Sequence, residues 1–224
     1  MHSDPLYMGV FAGIGMLAGA SLLFAITQTP SAWANRAYFR EFPVLFLMRL
    51  FGGLVFYGGL FGAVGGFLVY ARVFKVPFGT VMKIAVPVLP LAHAIMRVGC
   101  FAGGCCYGIQ HPMGVIFTRS PAAPSGVPLL PVQLYEAAVN LIIFAALWIF
   151  THRERGWGMT AALYGLMYGF ARFWLEFLRG DAIRGFVLGL STSQIISIIV
   201  FFACLVYICR GDRPRSPLFT RRRI

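Results

Sequence analysis

Charge is scarce in this chain. Of its 224 residues 12% are charged, 59% are hydrophobic, and mean hydropathy is +0.78. So little charge excludes a soluble domain of this size and marks an integral membrane protein. Strand-like alternation of polar and apolar residues is also lacking, which excludes a transmembrane β-barrel and leaves helices to span the bilayer. No basic leader precedes the first apolar run, and that run, Pro5–Ile26, has twenty-two residues without a charge. A cleaved signal peptide ending at Ser31-Ala32-Trp33-Ala34 is therefore the weaker reading. Acidic residues number only seven, and the net charge of +12 is carried almost wholly by arginine. Six arginines fall between Arg210 and Arg223, a pattern of cytoplasmic anchoring against anionic lipid. No folded basic domain is present to bind nucleic acid. Five cysteines without a C-x-x-C pair define no disulfide framework.

What is present reads as an all-α, polytopic membrane helical bundle. Six spans are expected: Pro5–Ile26, Val55–Ala71, Val81–Met96, Pro131–Phe150, Gly158–Leu178 and Ser193–Cys209. The apolar stretch Pro43–Leu54 carries Arg49 and reads as an interfacial or re-entrant arm. Residues 1–209 form one transmembrane domain, and residues 210–224 a basic cytoplasmic tail. Gly9, Gly13, Gly15 and Gly19 have the small-xxx-small spacing of close helix contacts. Pro87 and Pro90 should kink the third span. His93, one turn before Arg97, reads as a packing or hydrogen-bonding group. With the arginine tail inside, the amino terminus and the 72–79 and 151–158 turns are cytoplasmic.

The chain is organised around Arg97-Val98-Gly99-Cys100-Phe101-Ala102-Gly103-Gly104-Cys105-Cys106-Tyr107-Gly108, which holds four glycines, three cysteines and one arginine. A glycine-rich, non-helical segment at membrane depth must be shielded from lipid, in protein or against a wet cavity. Its thiols and Arg97 would then face that cavity; a connecting loop with incidental cysteines is the bland alternative. Arg97, Glu136, Arg172, Glu176 and Arg179 all fall at outward ends of spans, and Arg172, Glu176 and Arg179 share one helix face at i, i+4 and i+7. A charge in the membrane costs about 2.5–3.5 kcal/mol on insertion scales, so several together pair around a polar site. A structural ion-pair network is one outcome. A cavity for an anionic head group such as a phosphate diester is the other, and the planar fork of arginine suits it.

These segments, in this order, resemble the bacterial prolipoprotein diacylglyceryl transferase family. Arg97-x-Gly99-x-Phe101-x-x-Gly104-x-x-x-Gly108 resembles its signature G-R-x-G-N-F-x-N-G-E-x-x-G. Gln133-Leu134-Tyr135-Glu136 resembles its H-P-S-Q-L-Y-E segment, and Arg172-Phe173-x-x-Glu176-Phe177-x-Arg179 its R-F-x-x-E-F-x-R segment. Phe56-Tyr57-Gly58-Gly59-Leu60-x-Gly62 resembles its F-H-G-G-L-x-G segment, and Ser193-Gln194-x-x-Ser197 opens the last helix as in the family. The resemblance covers roughly Gly52 to Val206 and implies the family's reaction. A diacylglyceryl group moves from phosphatidylglycerol to the cysteine thiol of a lipoprotein precursor, and glycerol phosphate leaves. It implies that Arg97 and Arg172 hold the lipid phosphate and stabilise departing charge. Glu176 and Arg179 support them, while Tyr57, Gly58, Gly59, Cys100, Gly104, Gln133, Tyr135 and Glu136 shape the substrate site. The implied place is the bacterial inner membrane, with the active cavity toward the outer leaflet.

The chain departs from the family where proton chemistry is expected. The family's histidine before Gly-Gly is Tyr57, its signature asparagines are Cys100 and Gly103, and its glutamate is Cys105. The histidine ahead of Q-L-Y-E is Leu130, and one amino-terminal span is expected to be missing. The lipid cradle is thus kept while thiols replace the acid–base groups. A cation such as Arg97 favours the thiolate form, so Cys105 and Cys106 are candidate bases or nucleophiles. Attack by Cys105 on a diacylglyceryl carbon would end in a thioether, a dead end, whereas attack on an acyl ester gives a thioester that turns over. A cysteine-dependent phospholipid acyltransferase is therefore an alternative. A membrane thiol–disulfide oxidoreductase using Cys100, Cys105 and Cys106 is another, and a non-catalytic lipid-binding relative a third. Metal binding by these cysteines with His111 is disfavoured, because adjacent cysteines fit tetrahedral coordination poorly; neither metal nor cofactor is expected.

Overall fold

A computed structural model describes residues 4–35, 42–53, 55–120, 122–151, 156–180, 186–187 and 189–211. Its helices are α1 (Pro5–Ala34), α2 (Pro43–Phe51), α3 (Phe56–Val73), α4 (Phe78–Gly103), α5 (Val132–Thr151), α6 (Trp157–Leu175) and α7 (Thr192–Arg210). A 3-10 turn (Glu176–Leu178) follows α6. Strands β1 (Gln110–Ile116) and β2 (Pro128–Leu129) lie between α4 and α5, and β3 (Phe186–Val187) and β4 (Leu190–Ser191) precede α7. Helices α1, α4, α5 and α7 are long and apolar enough to cross a membrane. The chain is a mostly helical, polytopic membrane protein. Helices α3 and α6, which cover the expected second and fifth spans, are not among those four. The expected basic tail lies outside the described residues from position 212 onward.

The chain divides into two compact units, residues 1–84 and 85–224. In the first, Asp4 caps α1 by accepting from the Leu6 N–H at 2.9 Å. Glycines let α1 and α3 meet backbone to backbone: a methyl on Gly62 would strike the Gly15 carbonyl, and one on Gly58 the Gly19 carbonyl. Gly15 and Gly19 thus answer Gly58, Gly62 and Gly66 across the contact. Gly9 and Gly13, expected in the same role, face open space. Below the glycines, Met8, Tyr70, Ala71 and Val81 form a buried cluster flanked by Phe11 and Phe74. The expected arm is α2, nine residues long and too short to span.

In the second unit the glycine-rich segment differs from expectation. Residues 97–103 are the last two turns of α4, which continues unbroken through Pro87 and Pro90. The helix ends at Gly104, whose φ of 66° is left-handed. The Gly104 N–H donates to the Phe101 carbonyl and the Cys105 N–H to the Cys100 carbonyl, each at 3.1 Å, which is a Schellman stop. The loop expected between Ile109 and Leu130 carries an antiparallel β1–β2 pair, so the all-α expectation is amended by short hairpins. Phe117, Ala123 and Leu129 form a small core against Phe101 and Tyr107. The chain after Gly104 is strapped on both sides. The Gly108 N–H donates to the Leu130 carbonyl, the Ile109 N–H to Leu178 (both 2.9 Å), and the Gly180 N–H to Tyr107 at 3.1 Å. Ser191 and Gln194 form a capping box that starts α7.

Gly62→Val should force α1 and α3 apart and cost about 1–3 kcal/mol, the usual range for overpacking. Gly13→Ala, in open space, should hold stability or raise it. Thermal unfolding in detergent measures both.

Candidate active site

In the second unit Arg97, His93 and Tyr168 converge on one carboxylate. Helical spacing puts Gln133, Glu136, Ala137 and Asn140 on the buried face of α5. Glu136 is 1% exposed. Its Oε1 accepts from Arg97 Nη2 on α4 at 2.9 Å and from the Tyr168 hydroxyl on α6 at 2.8 Å. His93 Nε2 lies 3.9 Å from the same oxygen. The His93 Nδ1 and the Tyr164 hydroxyl share a hydrogen bond of 3.1 Å, and the His93 ring lies against Tyr168, centroids 4.9 Å apart.

Arg172 anchors a second cluster one turn further along α6. Its Nη2 lies 2.6 Å from Glu176 Oε2 and donates to Ser193 Oγ at 3.4 Å. The ion pair is the i, i+4 pair read in the sequence, although Glu176 already belongs to the 3-10 turn. Arg172 lies close enough to His93 and Tyr168 to act on both electrostatically. Both arginines keep a buried N–H without a hydrogen-bond partner: Nε of Arg97 and Nη1 of Arg172. Leaving such a donor unmet costs roughly 1–3 kcal/mol, more when it is charged, so the pair is suited to an anionic oxygen from outside the chain.

The thiols border this site. Cys100 is on the last turn of α4, and Cys105 and Cys106 follow the stop. Their sulfurs lie within 4.8 Å of one another, all half-buried, and no disulfide joins them. Cys100 and Cys106 are in electrostatic range of Arg97. Gln133 Nε2 donates to the Cys105 carbonyl at 2.8 Å and fixes the turn.

Of the predicted site residues, the structure brings together Arg97, Glu136, Gln133 and the three cysteines, and places Arg172 with Glu176. Tyr135 is 41% exposed, off the buried face of α5. Gly104 ends α4, and a methyl there would strike Ser120. Arg179 pairs by backbone with Gly108. Tyr57, Gly58 and Gly59 belong to the first unit, where both glycines are buried against α1 and Tyr57 is half-exposed. Sequence reasoning missed Tyr164, Tyr168 and Asn140; His93, read as a packing or hydrogen-bonding group, is hydrogen-bonded to Tyr164. The signal was spacing: His93–Arg97, Glu136–Asn140 and Tyr164–Tyr168–Arg172 are each four residues apart on apolar helices.

Fold and site define a class: a helical membrane protein with arginines buried among its helices. The profile of the prolipoprotein diacylglyceryl transferase family matches residues 3–210, and the chain belongs to that family. It is 36% identical over 219 residues to the phosphatidylglycerol–prolipoprotein diacylglyceryl transferase of Clostridium tetani, covering 96% of this chain and 84% of that protein. A second enzyme of that name, from Clostridium perfringens, is 32% identical over 202 residues, with coverage of 89% and 76%. The Dehalococcoides mccartyi protein is 36% identical over 167 residues, with coverage of 73% and 64%.

Arg97→Met or Glu136→Met alone leaves a buried partner without its counter-charge and should cost about 3–5 kcal/mol. The double replacement should recover most of that loss. A double-mutant cycle of unfolding in detergent measures the coupling.

Proposed function

We propose that this chain transfers the diacylglyceryl group of phosphatidylglycerol, or a similar glycerophospholipid, to the cysteine thiol of a prolipoprotein. The bond from the diacylglyceryl carbon to the phosphate oxygen breaks, a carbon–sulfur bond forms, and glycerol phosphate leaves. The thiol gives up its proton, which Glu136 and Glu176 are available to accept. Arg97 and Arg172 hold the phosphate and meet the charge that grows on it as the bond breaks. Glu136 and Tyr168 aim Arg97, and Glu176 and Ser193 aim Arg172. The observation that carries this reading is the pair of buried guanidinium N–H groups without partners, Arg97 Nε and Arg172 Nη1.

The same reading sets the topology. Six spans, with α3 and α6 crossing beside α1, α4, α5 and α7, put the basic tail of residues 210–224 inside the cell. The site then opens to the outer leaflet of the bacterial inner membrane, where a secreted precursor presents its cysteine.

Purified protein with phosphatidylglycerol and a cysteine peptide of prolipoprotein type should yield a diacylglyceryl peptide and glycerol phosphate, read by mass spectrometry. Arg172→Lys loses the fork and should slow turnover on the order of 10²-fold. An unmodified peptide with folded protein, or full activity in Arg172→Lys, would count against this function.

A further inference from the structure

The transferase reading does not use the three thiols, yet they are the densest group of ligand atoms among the described residues. Sulfurs of Cys100, Cys105 and Cys106 all lie within 4.8 Å of one another. Three thiolates on one zinc ion, at a Zn–S distance of ~2.3 Å, stand roughly 3.8–4.0 Å apart. The cluster meets that spacing with side-chain adjustments of less than about an ångström. Adjacent cysteines in extended backbone point to opposite sides. Here Cys106 has a φ of 60°, the left-handed region that a side chain rarely adopts, and the alternation is broken. Such a conformation costs of order 1–3 kcal/mol and persists only where the surroundings hold it. The turn is held by the Schellman bonds at Gly104 and Cys105 and by Gln133 on the Cys105 carbonyl. The Cys105 thiol donates to the Cys100 carbonyl at 3.6 Å, a bond that metal binding would replace, at the carboxyl end of α4, where the helix dipole favours a cation. His111, the fourth ligand considered from sequence, is engaged elsewhere: its Nδ1 accepts from the Met113 N–H at 3.2 Å.

We infer that Cys100, Cys105 and Cys106 form a three-thiolate zinc site whose open fourth position takes the acceptor cysteine of the substrate, an inference that rests on the transferase reading. Three protein ligands with one open position are the pattern of a catalytic zinc. A thiol that coordinates zinc gives its proton to a site carboxylate, Glu136 or Glu176, or to solvent water and stays nucleophilic, so the metal delivers the acceptor sulfur as thiolate. That thiolate attacks the diacylglyceryl carbon, and the carbon–oxygen bond to phosphate breaks. Glycerol phosphate leaves against the arginines, and the thioether product is a weaker zinc ligand that dissociates. No electrons are exchanged with an external oxidant or reductant. The site occupies the turn where the family's asparagine and glutamate are replaced by cysteine, so the metal takes over the proton step.

Cobalt(II) replaces zinc as a spectroscopic probe. Full-length reduced protein in detergent, titrated with Co2+, should bind one ion per chain with thiolate charge-transfer absorption and strong tetrahedral visible bands, both abolished by Zn2+. Cys100→Ser, Cys105→Ser and Cys106→Ser should each lose the charge-transfer band, whereas Cys204→Ser and Cys209→Ser keep it. A cysteine peptide should shift the visible bands and its serine analogue should not. Should the single variants fail to fold, reversible stripping of wild-type protein with a chelator serves instead: turnover falls and returns with Zn2+. Absence of the band in fully reduced protein, or a Cys100 disulfide as the stable form, overturns the site. Peptide alkylation that persists after chelation overturns the metal while the transferase reading stands. Cobalt binding with a peptide shift but no lipid turnover upholds the site and sinks that reading.

Discussion

One carboxylate oxygen holds the second unit's site together. Oε1 of Glu136 meets Arg97 from α4 and Tyr168 from α6, with His93 close by. Taking two charges out of water is costly, and a well-packed apolar pair of the same volume would serve stability as well or better. The pair is therefore better explained by orientation. With Nη2 committed to Glu136, the guanidinium plane of Arg97 is fixed and its Nε is aimed elsewhere. The tyrosine hydroxyl locks the same oxygen from a third helix. Rotation of α4, α5 or α6 about its own axis would break at least one of these bonds, so the chemistry on each helix is held in register.

Glycine does the complementary work. At membrane depth, loose backbone polar groups have no water to turn to. In the segment after α4 the N–H groups of Gly104, Cys105, Gly108 and Ile109 all donate to nearby carbonyls. Gly104 adopts the left-handed conformation that ends the helix, and a side chain at Gly108 would strike the Leu130 carbonyl and Val132. Gly180 is excluded from a side chain by the Gly108 carbonyl. The strap from Leu130 through Gly108 to residues 178–180 thus fixes the turn that carries Cys105 and Cys106, close to the end of α4 that carries Arg97.

Much of this was legible in the sequence. Composition separated membrane helices from everything else, and arginine and glutamate stood out because charge is rare on apolar helices. Arg172 and Glu176 were paired by their spacing alone. The helical state of residues 97–103 was not legible. Four glycines in twelve residues signal irregular backbone in a soluble loop, but Gly99 and Gly103 cost a lipid-facing helix little and only Gly104 needs a left-handed φ. The β1–β2 pair was hidden for a related reason. Prolines argue against strands in general and are tolerated in a two-stranded edge ladder. Tyr164, Tyr168 and Asn140 escaped notice because aromatic and amide residues are common on such helices, and only the partner helix turns them into a site.

Cysteine at the signature turn changes what the proton chemistry must be. Alkyl transfer to sulfur has two requirements: a phosphate whose departing charge is held, and an acceptor present as thiolate. On the proposed reaction the arginines of α4 and α6 would answer the first, and they stand where the family's pattern has them. The second is usually met by a side-chain base. Free thiolates are poor candidates here, because a thiolate beside an activated diacylglyceryl carbon is itself an acceptor, and its alkylation is a dead end. Cysteines escape self-alkylation at this position either by staying protonated or by having their lone pairs engaged. In the proposed site three sulfurs would share one cation, and the incoming fourth would be the one placed against the diacylglyceryl carbon. On this proposal the geometry that draws Cys100, Cys105 and Cys106 together would leave position to select the substrate thiol as the nucleophile.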